Sequence, residues 1–472
     1  MQDEYGRGQR MLFAGIDIGT TSISAVLISA ASGRAVRVAT CANDASVRGE
    51  HSWERLQDPQ RIMERVRGLL AECQEEWPDV AAVGISCQMH GILYVNGDGQ
   101  SVSPLYTWQD GRGDERMEDR DISYARYLRE RTGYPAASGY GLVTQFHHMK
   151  NGNVPKDAVY LCTIGDYVAM QLTGATEPLM DPSNAAGIGL FSASRHCFDE
   201  EALRRAGMDA SILPPVCQGT EPAGRTPDGK PVACAIGDNQ ASFLGSVSQL
   251  ERTLLVNVGT GSQISIYTDN DVSPGELDAA VGLEIRPFPG GGSLLVGAPL
   301  SGGKSYAMLL AFFQEVGRAF GTSPDEGEIY ARMNEWAREA IWRGDAPLQV
   351  QTQFYGTRQD PGLRGAIRGI GPDNFTPGHL AAGFLQGMAD ELMQYVGALP
   401  AGLRGSISAA AGSGNGIRRN PLLREMLEAK LGLALELPPG EEEAAYGAAV
   451  YSAAAAGYYP DVRSVLSEMR KG

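Results

Sequence analysis

The side chains that could do chemistry stand in short segments directly after strand-like runs. The first is residues 15–22, which read GIDIGTTS. A glycine lets the backbone turn and brings its N–H groups close to a ligand, and threonine and serine hydroxyls add hydrogen bonds to phosphate oxygens. Asp17, near the end of the predicted strand Leu12–Ile18, could hold Mg²⁺ through water, because hard cations prefer oxygen ligands. An ordinary Gly-Thr hairpin is the alternative for this copy taken alone.

A second copy of the turn argues against an ordinary hairpin. Residues 16–24 read IDIGTTSIS and residues 256–265 read VNVGTGSQIS, so Gly19 matches Gly259 at an offset of 240 residues (259 − 19 = 240), about half the chain. This repeat predicts two related domains, residues 11–246 and 247–472, joined by a hinge and each opening with a strand–turn–strand hairpin. Two such hairpins on one cleft could hold the β- and γ-phosphates of a nucleotide from both sides.

Asp238 follows the predicted strand Val232–Ile236 and directly precedes a helix-like segment. Ligands of α/β proteins bind at the carboxyl ends of strands. A carboxylate in that position could accept the proton of a substrate hydroxyl that attacks a phosphoryl group. A helix N-cap is the alternative for Asp238 taken alone.

Two further loops carry polar and aromatic groups suited to a polyhydroxylated ligand. Gln88, Met89 and His90 follow the predicted strand Val80–Cys87, and residues 105–112 read LYTWQDGR. Polar side chains can pair with hydroxyls while Trp108 offers an aromatic face to a carbon skeleton. His90 and Trp108 are each more often structural, but together the loops predict a polar small-molecule site.

Residues 412–416 (GSGNG) follow the predicted strand Ser406–Ala411 and permit close approach of an adenine or ribose to the backbone. The segment does not match a dinucleotide-binding fingerprint, because Ile417 stands where the third glycine would fall. Gly303-Lys304-Ser305 does not complete a P-loop, because residue 298 is alanine.

The elements that position these segments alternate between strands and helices, which predicts an α/β protein. Asp58-Pro59, Thr376-Pro377 and Asn420-Pro421 are typical of helix starts. Residues 444–459 are apolar but rich in Ala and Gly, which favours a packed helix over a membrane span.

Composition excludes several classes of function. Lys and Arg number 40 against 56 Asp and Glu, a formal net charge of −16, which disfavours binding to nucleic acid or to an anionic membrane surface. The 7 cysteines form no Cys-x-x-Cys pair, which predicts free thiols in a reducing cytoplasm and no structural zinc. No signal peptide is expected at the polar residues 1–10.

In combination, the segments GIDIGTT, QMHG, GDNQA, GTGS and GSG, in this order, resemble the FGGY carbohydrate kinases from about Leu12 to Ala456. The resemblance implies two ribonuclease H-like domains of the actin/hexokinase-like fold around a central cleft, with ATP and Mg²⁺ as cofactors. Within the family, residues 107–112, 163–168 and 179–186 are most similar to the sedoheptulokinases, with xylulokinases next. A terminal primary hydroxyl of a ketose is then the phosphoryl acceptor, and a homodimer is possible.

The resemblance also implies roles for individual residues. Asp238 is expected to be the proton acceptor and Asp17 the metal-site residue. The expected sugar contacts are Gln88, Met89, His90, Trp108, Asp110, Asp238 and Asn239. The expected nucleotide contacts are Gly19, Thr20, Thr21, Ser22, Gly259, Thr260, Gly261, Gly303, Gly412, Ser413 and Asn420. Asn257 replaces the aspartate of the first repeat, so one half alone supplies this carboxylate.

Two alternatives come from other classes of protein. An actin- or chaperone-like ATPase would share both phosphate turns but would not need the QMHG and TWQDGR segments. A sugar-binding regulator without catalysis would keep the sugar loops but would need neither the paired turns nor Asp238. The segment 354–371, with arginines at 358, 364 and 368, is interpreted as a surface connection, with a loop near the cleft as the alternative.

Overall fold

The computed structural model describes residues 11–73, 75–270, 272, 275, 277–278, 281–322, 325–344, 347–357, 360, 362–438 and 440–469. The chain divides into two compact units. Unit 1 comprises Met1–Leu250, Arg286–Gly292 and Gly440–Gly472, and unit 2 comprises Glu251–Ile285 and Ser293–Pro439. The expected boundary at 246/247 therefore falls close to the end of the first stretch of unit 1. The expected second domain, 247–472, differs from unit 2 because the chain from Gly440 onward packs with unit 1.

The strands are β1 Leu12–Ile18, β2 Ser22–Ser29, β3 Ala35–Ala42, β4 Ser46–Val47, β5 Leu56–Gln57, β6 Val80–Cys87, β7 Leu93–Val95, β8 Leu105–Tyr106, β9 Tyr160–Cys162, β10 Phe191–Ser192, β11 Cys197–Phe198, β12 Pro222–Arg225, β13 Pro231–Ala233, β14 Ile236–Gly237, β15 Thr253–Val258, β16 Ser262–Thr268, β17 Glu284–Pro287, β18 Ser293–Gly297, β19 Gln349–Gln351, β20 Ala366–Arg368, β21 Ala409–Ser413 and β22 Leu435–Glu436.

The helices are α1 Pro59–Glu72, α2 Tyr124–Thr132, α3 Gly141–Asn151, α4 Ile164–Thr173, α5 Pro182–Ile188, α6 Glu200–Ala206, α7 Asp238–Ser246, α8 Gly303–Ala319, α9 Glu326–Trp342, α10 Pro377–Ala398, α11 Ala401–Ser406, α12 Asn415–Arg419, α13 Pro421–Leu431, α14 Glu443–Ala455 and α15 Val462–Met469, with 3₁₀ turns at Trp77–Asp79, Arg112–Asp114 and Ala210–Ile212.

Unit 1 is built on a mixed sheet whose strands, within the described residues, follow the order β12-β13-β6-β1-β2-β3, with β14 also paired to β6. The apolar strand β1 lies in the middle, antiparallel to β2 and parallel to β6. Helix α1 covers the sheet with the buried stripe Ile62, Met63, Val66 and Leu69. The helix begins as predicted at Asp58, whose carboxylate accepts hydrogen bonds from the first free N–H groups of the helix.

Helix α14 packs with its backbone almost in contact with the other elements of unit 1. A Cβ on Gly15 of β1 would lie 1.9 Å from Ala445 O, and a Cβ on Gly447 would lie 1.8 Å from Ala241 O of α7. Glycine is required at both positions because any side chain would overlap a backbone carbonyl. The helix is buried on all sides, as expected for the apolar residues 444–459. Among the described residues, no helix is both long and apolar enough to cross a membrane.

Unit 2 repeats the arrangement of unit 1. Its main sheet, within the described residues, has the order β17-β18-β16-β15-β21-β22. Strand β15 is antiparallel to β16 and parallel to β21, as β1 is antiparallel to β2 and parallel to β6. Helix α10 begins at the predicted Thr376 cap and packs its apolar face into the core of this unit. The repeat seen in the sequence is therefore a repeat of strand order.

Two predicted strands differ in their bounds. The expected strand Val232–Ile236 is split into β13 and β14. The expected strand Ser406–Ala411 is shifted to Ala409–Ser413, because Ala401–Ser406 forms helix α11. In segment 354–371, Ala366–Arg368 pairs with Gln349–Gln351 as a two-stranded ribbon, and Arg358 lies outside the described residues.

Candidate functional site

The candidate site of unit 1 forms at the carboxyl ends of three strands. Strands β1 and β14 both run parallel to β6, so all three end at the same edge of the sheet. Asp17 lies near the end of β1, Gln88 follows β6, and Asp238 follows β14. Polar side chains from distant parts of the sequence thus meet at one edge, where ligands of α/β proteins bind.

Asp17 is held by a hydrogen bond from the neighbouring strand. Asp17 and Ser86 are register partners in the β1–β6 pair, and the Ser86 hydroxyl donates to Asp17 Oδ1 at 2.7 Å. Burial, together with the carboxylates of Asp238 and Glu442, raises the pKa of Asp17 to about 7 against the opposing effect of the hydrogen bond from Ser86. Negative charge therefore accumulates around Asp17, which favours a bound cation.

Asp238 is the first residue of helix α7, with Gly237 in the cap position. Burial raises the pKa of this carboxyl to about 6, while the Arg286 guanidinium and the Asn239 backbone N–H act in the opposite direction. Asp238 is consequently ionised at neutral pH but is a stronger base than an ordinary aspartate. A partly exposed carboxylate with these properties can accept a proton from an alcohol.

Met89 packs against Gly237, the residue before Asp238, and His90 follows Met89 in the chain. The Met89 sulfur lies 2.8 Å from the position that a Cβ on Gly237 would take. His90 has a left-handed backbone with φ 75°, and its ring stacks on Tyr140 with centroids 4.5 Å apart. His90 Nδ1 lies 2.6 Å from the carbonyl oxygen of Gly187, and since a carbonyl only accepts, Nδ1 is the protonated nitrogen. In the neutral ring, Nε2 is then a hydrogen-bond acceptor.

A hydrogen-bond network joins the turn after β1 to the loop after β8. The Trp108 indole N–H donates to Thr20 Oγ1 at 3.0 Å, and the Thr20 hydroxyl donates to Gln88 Oε1 at 3.2 Å. Gln88 in turn donates to Gln57 Oε1, and Gln57 donates to the Thr20 carbonyl, both at 2.9 Å. The hydroxyl of Thr20 is thus engaged on both sides, whereas Trp108 keeps 46% of its surface exposed.

Asp110 occupies a different place from the one expected. Its side chain is buried, and its two carboxylate oxygens accept hydrogen bonds from the Arg112 guanidinium at 2.6 and 3.1 Å and from the Arg55 backbone N–H at 3.0 Å. The Arg112 guanidinium lies 4.2 Å from the centroid of the Tyr106 ring. Since its oxygens are saturated and buried, Asp110 holds the Trp108 loop in place and does not face a ligand.

The turn between β1 and β2 presents Thr21 and Ser22 to solvent. The Gly19 N–H donates to Ser22 O at 3.0 Å, which closes the turn, and Asn43 Nδ2 donates to Gly19 O at 2.8 Å. This turn is therefore rigid, with two hydroxyl-bearing side chains at its exposed tip.

The turn between β15 and β16 is supported by the start of helix α8. The N–H groups of Gly303 and Lys304 donate to the carbonyls of Gly259 and Thr260 at 3.0 and 3.1 Å. A Cβ on Gly303 would lie 2.5 Å from Gly259 O, so this close approach requires glycine. Thr260 and Gly261 are the exposed residues at the tip.

Asn257 and Ser413 repeat the geometry of Asp17 and Ser86 in unit 2. They are register partners in the parallel pair β15–β21, and Asn257 Nδ2 donates to Ser413 Oγ at 2.8 Å. The hydrogen bond is preserved with its direction reversed, and unit 2 gains no negative charge at this position.

The three remaining expected nucleotide contacts are less exposed than the sequence suggested. Gly412 and Ser413 are buried inside β21, and the loop becomes partly accessible at Gly414. Asn420 caps helix α13 by accepting from Leu423 N–H, and its amide donates to Asn334. These side chains shape the loop, in which Gly414 and Gly416 are half-buried and Asn415 is exposed.

Three residues around the site have no local signal in the sequence that predicts their place. Gln57 lies at the end of a short strand, Arg286 lies 48 positions beyond Asp238, and Glu442 precedes α14, where it accepts a hydrogen bond from Thr40 at 3.0 Å. Their positions follow from long-range packing within unit 1.

Models of the N-terminal and C-terminal domains of the FGGY family of carbohydrate kinases match residues 12–245 and 302–456. The sedoheptulokinase of Homo sapiens is 28% identical over 93% of this chain and 97% of its own length. The xylulose kinase of Streptomyces rubiginosus is 30% identical over 54% of each chain. The glycerol kinase of Plasmodium falciparum, solved with ADP, superposes with a TM-score of 0.79 at 18% identity over 98% of this chain and 92% of its own. This structural likeness extends the two-domain fold to nearly the whole chain.

Proposed function

Since the chain belongs to the FGGY family of carbohydrate kinases and is an ATP-dependent sugar kinase, we propose that it phosphorylates the terminal primary hydroxyl of sedoheptulose, giving sedoheptulose 7-phosphate. The observation that supports the reaction most directly is Asp238 at the carboxyl end of β14, beside Asp17. The choice of sugar is supported by the similarity to sedoheptulokinase along 93% of the chain.

In the proposed reaction, Asp238 is the catalytic base. The hydroxyl oxygen of the sugar attacks the γ-phosphorus of ATP, the bond from that phosphorus to the ADP oxygen breaks, and the hydroxyl proton passes to the Asp238 carboxylate. General-base assistance of this kind contributes roughly 10²- to 10⁴-fold to the rate. Most of the remaining acceleration comes from donors that stabilise charge on the transferring group.

The sugar would lie against His90, Met89, Trp108 and Asn239. His90 Nε2 accepts a hydrogen bond from a sugar hydroxyl, the exposed face of Trp108 covers the carbon chain, and Gln88 supports Trp108 through Thr20. The hydrogen-bond network of Trp108, Thr20, Gln88 and Gln57 thereby fixes the aromatic face relative to the turn after β1.

In unit 1 we assign phosphate contacts to the exposed tip of the turn, Thr21 and Ser22. In unit 2, taken by itself, we assign nucleotide contacts to the exposed tip of its own turn, Thr260 and Gly261. Each tip carries hydroxyl or backbone donors on a rigid support. Thr20 contributes to its turn through its backbone, because its hydroxyl is engaged with Trp108 and Gln88.

Mg²⁺ fits the donor set around Asp17. Among the described residues, no group of three or more His, Cys, Asp or Glu side chains could hold a metal ion by itself. Mg²⁺ in phosphotransferases does not need such a group, because it commonly binds one or two carboxylates and completes its shell with phosphate oxygens and water. The negative charges of Asp238 and Glu442 disfavour the ionised carboxylate of Asp17 in the absence of a cation. Asp17 is the residue that would hold the Mg²⁺ ion. When bound, the ion neutralises charge on the β- and γ-phosphates.

We also propose that the protein works in a reducing, cytoplasmic setting. All seven cysteines lie among the described residues and are free thiols, and six of them are not exposed. Such thiols persist where disulfides do not form.

D-Xylulose is the second candidate substrate, favoured by the 30% identity to a xylulose kinase over half of the chain. The test incubates the protein with Mg²⁺-ATP and a panel of ketoses of five to seven carbons and measures ADP release, with the product position read from ³¹P–¹H couplings. The proposal requires the highest kcat/KM for sedoheptulose and a phosphate on C7. A higher value for D-xylulose selects the second candidate, and ADP release that is indifferent to every sugar contradicts both.

A further inference from the structure

The segment Arg286–Gly292 belongs to unit 1, although the chain on both sides of it belongs to unit 2. It contacts helix α7 at three successive points. Arg286 Nη1 donates to Asn239 Oδ1 at 3.0 Å, Gln240 Nε2 donates to the Pro287 carbonyl at 3.0 Å, and the Phe288 and Phe243 rings meet edge to face with centroids 6.0 Å apart. The first two turns of α7, which begins with Asp238, are therefore attached to this segment.

The contact with Arg286 fixes how the Asn239 side chain can act. An amide has an acceptor oxygen at one end and a donor NH₂ group at the other. Arg286 has donors only, so it can bind the amide oxygen and not the NH₂ group. The oxygen of Asn239 is thus turned toward the guanidinium and the NH₂ group away from it, in a side chain that is partly exposed next to Asp238.

A hydrogen bond to a charged partner is stronger than one between neutral groups, so the orientation is well determined. Without Arg286 the amide could rotate by half a turn and present its oxygen instead. A sugar hydroxyl oxygen that accepts from the NH₂ group would then face an acceptor and lose its partner.

We propose that Arg286 is a positioning residue, which orients the Asn239 amide so that its NH₂ group donates to a hydroxyl oxygen of the ketose next to the reacting hydroxyl. This inference rests on the proposed function, since it takes Asn239 as a sugar contact. Arg286 acts through Asn239 and does not itself need to touch the sugar. The neighbouring charge on Asp238 is attracted to the same guanidinium, so the test is made where that carboxylate is ionised in every variant.

The test is a double-mutant cycle on the pair Arg286 and Asn239, with steady-state kinetics on sedoheptulose and D-xylulose at about pH 8.5. We expect Arg286→Met to raise the KM for the ketose about tenfold, equivalent to about 1.4 kcal/mol, with the KM for ATP within about twofold and kcat within about threefold of the original. Asn239→Ala is expected to raise the same KM by a similar factor. Adding Arg286→Met to Asn239→Ala is expected to cost less than about twofold more, because the residue through which Arg286 acts is already absent.

Two further variants separate orientation from packing. Arg286→Lys keeps a donor for the amide oxygen and is expected to hold the ketose KM within about threefold of the original. Phe288→Leu disturbs the same segment through its contact with Phe243, and is expected to lower Tm while leaving the ketose KM unchanged.

The inference is overturned if the ketose KM is unchanged in Arg286→Met, if the effects of Arg286→Met and Asn239→Ala multiply, or if Phe288→Leu raises the KM as much as Arg286→Met does. A wild-type protein that phosphorylates no ketose contradicts the proposed function itself, and with it this inference. An active wild-type protein with an unaffected Arg286→Met variant contradicts the inference alone.

Discussion

Replacing Asp238 by asparagine removes the proposed proton acceptor and keeps the size of the side chain. The carboxyl has a pKa of about 6, so at about pH 7.5 its ionised form prevails by roughly thirty to one and loss of the base is felt in full. We expect kcat to fall by about 10²- to 10⁴-fold, the range of general-base assistance, because the phosphate-binding turns are unaltered. The rate that remains is the contribution of those turns and of the metal.

The affinity for ATP is expected to respond differently. The charge of Asp238 raises the pKa of Asp17, so its removal makes Asp17 easier to ionise and reduces the negative charge near the phosphates. The KM for ATP in Asp238→Asn should therefore stay the same or fall. A residue that merely holds the fold together would instead raise KM and lower kcat together.

Thermal stability supplies a third readout with a definite sign. The pKa of Asp238 is raised in the folded protein, so its ionised form costs stability at any pH above about 6, and the neutral asparagine should raise Tm. Asp199→Asn is the matched control. Backbone N–H donation from Ala202 at the start of α6 lowers the pKa of Asp199, so its charge stabilises the fold, and this variant should lower Tm without changing kcat.

The assay couples ADP formation to an optical signal, with sedoheptulose as acceptor and Tm followed by calorimetry. A kcat for Asp238→Asn within about threefold of the original would refute the base assignment, since no general base contributes so little. A large loss of kcat accompanied by a lower Tm would show damage to the fold and not the loss of a proton acceptor.

Three further outcomes are expected. The value of kcat/KM for the sugar should fall as pH drops below about 6, because protonated Asp238 cannot accept a proton, and a flat profile down to about pH 5 would contradict this. Asn257→Asp should raise the KM for ATP by about fivefold, because the added negative charge repels phosphate. The Tm should change little, because the Ser413 hydroxyl can donate to the new carboxylate. An unchanged KM for ATP would mean that the turn of unit 2 does not contact the nucleotide. Trp108→Phe keeps the aromatic face but loses the donor to Thr20, and should raise the KM for the ketose by about three- to tenfold; unchanged kinetics would show that this contact plays no part.

Local features of the sequence determined several elements directly. The strands Leu12–Ile18 and Val80–Cys87 lie where they were predicted, because continuous apolar runs bounded by turns are typical of buried strands. The helices after Asp58, Thr376 and Asn420 also begin where predicted, since a side-chain acceptor followed by proline satisfies the helix start from within a few residues. The duplicated turn likewise predicted a strand–turn–strand hairpin in each unit, because the same short pattern folds into the same hairpin in both.

What each polar side chain faces was decided by tertiary contacts. Asp110 was expected at the sugar, but burial against Arg112 saturates its oxygens. The hydroxyl of Thr20 was expected at phosphate, but it is engaged by Trp108 and Gln88 from other loops. Spacing along the chain shows which residue types come together, and only packing shows which of their donors and acceptors are already used.

The order of residues along the chain also does not show which segments form each unit. Arg286 and helix α14 belong to unit 1, although they lie well beyond its first 250 residues. Their attachment depends on close backbone contact at Gly447 and on the hydrogen bond to Asn239, both of which join residues far apart in sequence. Local propensity carries no information about such pairs, because their energy arises only once distant segments have been brought into contact.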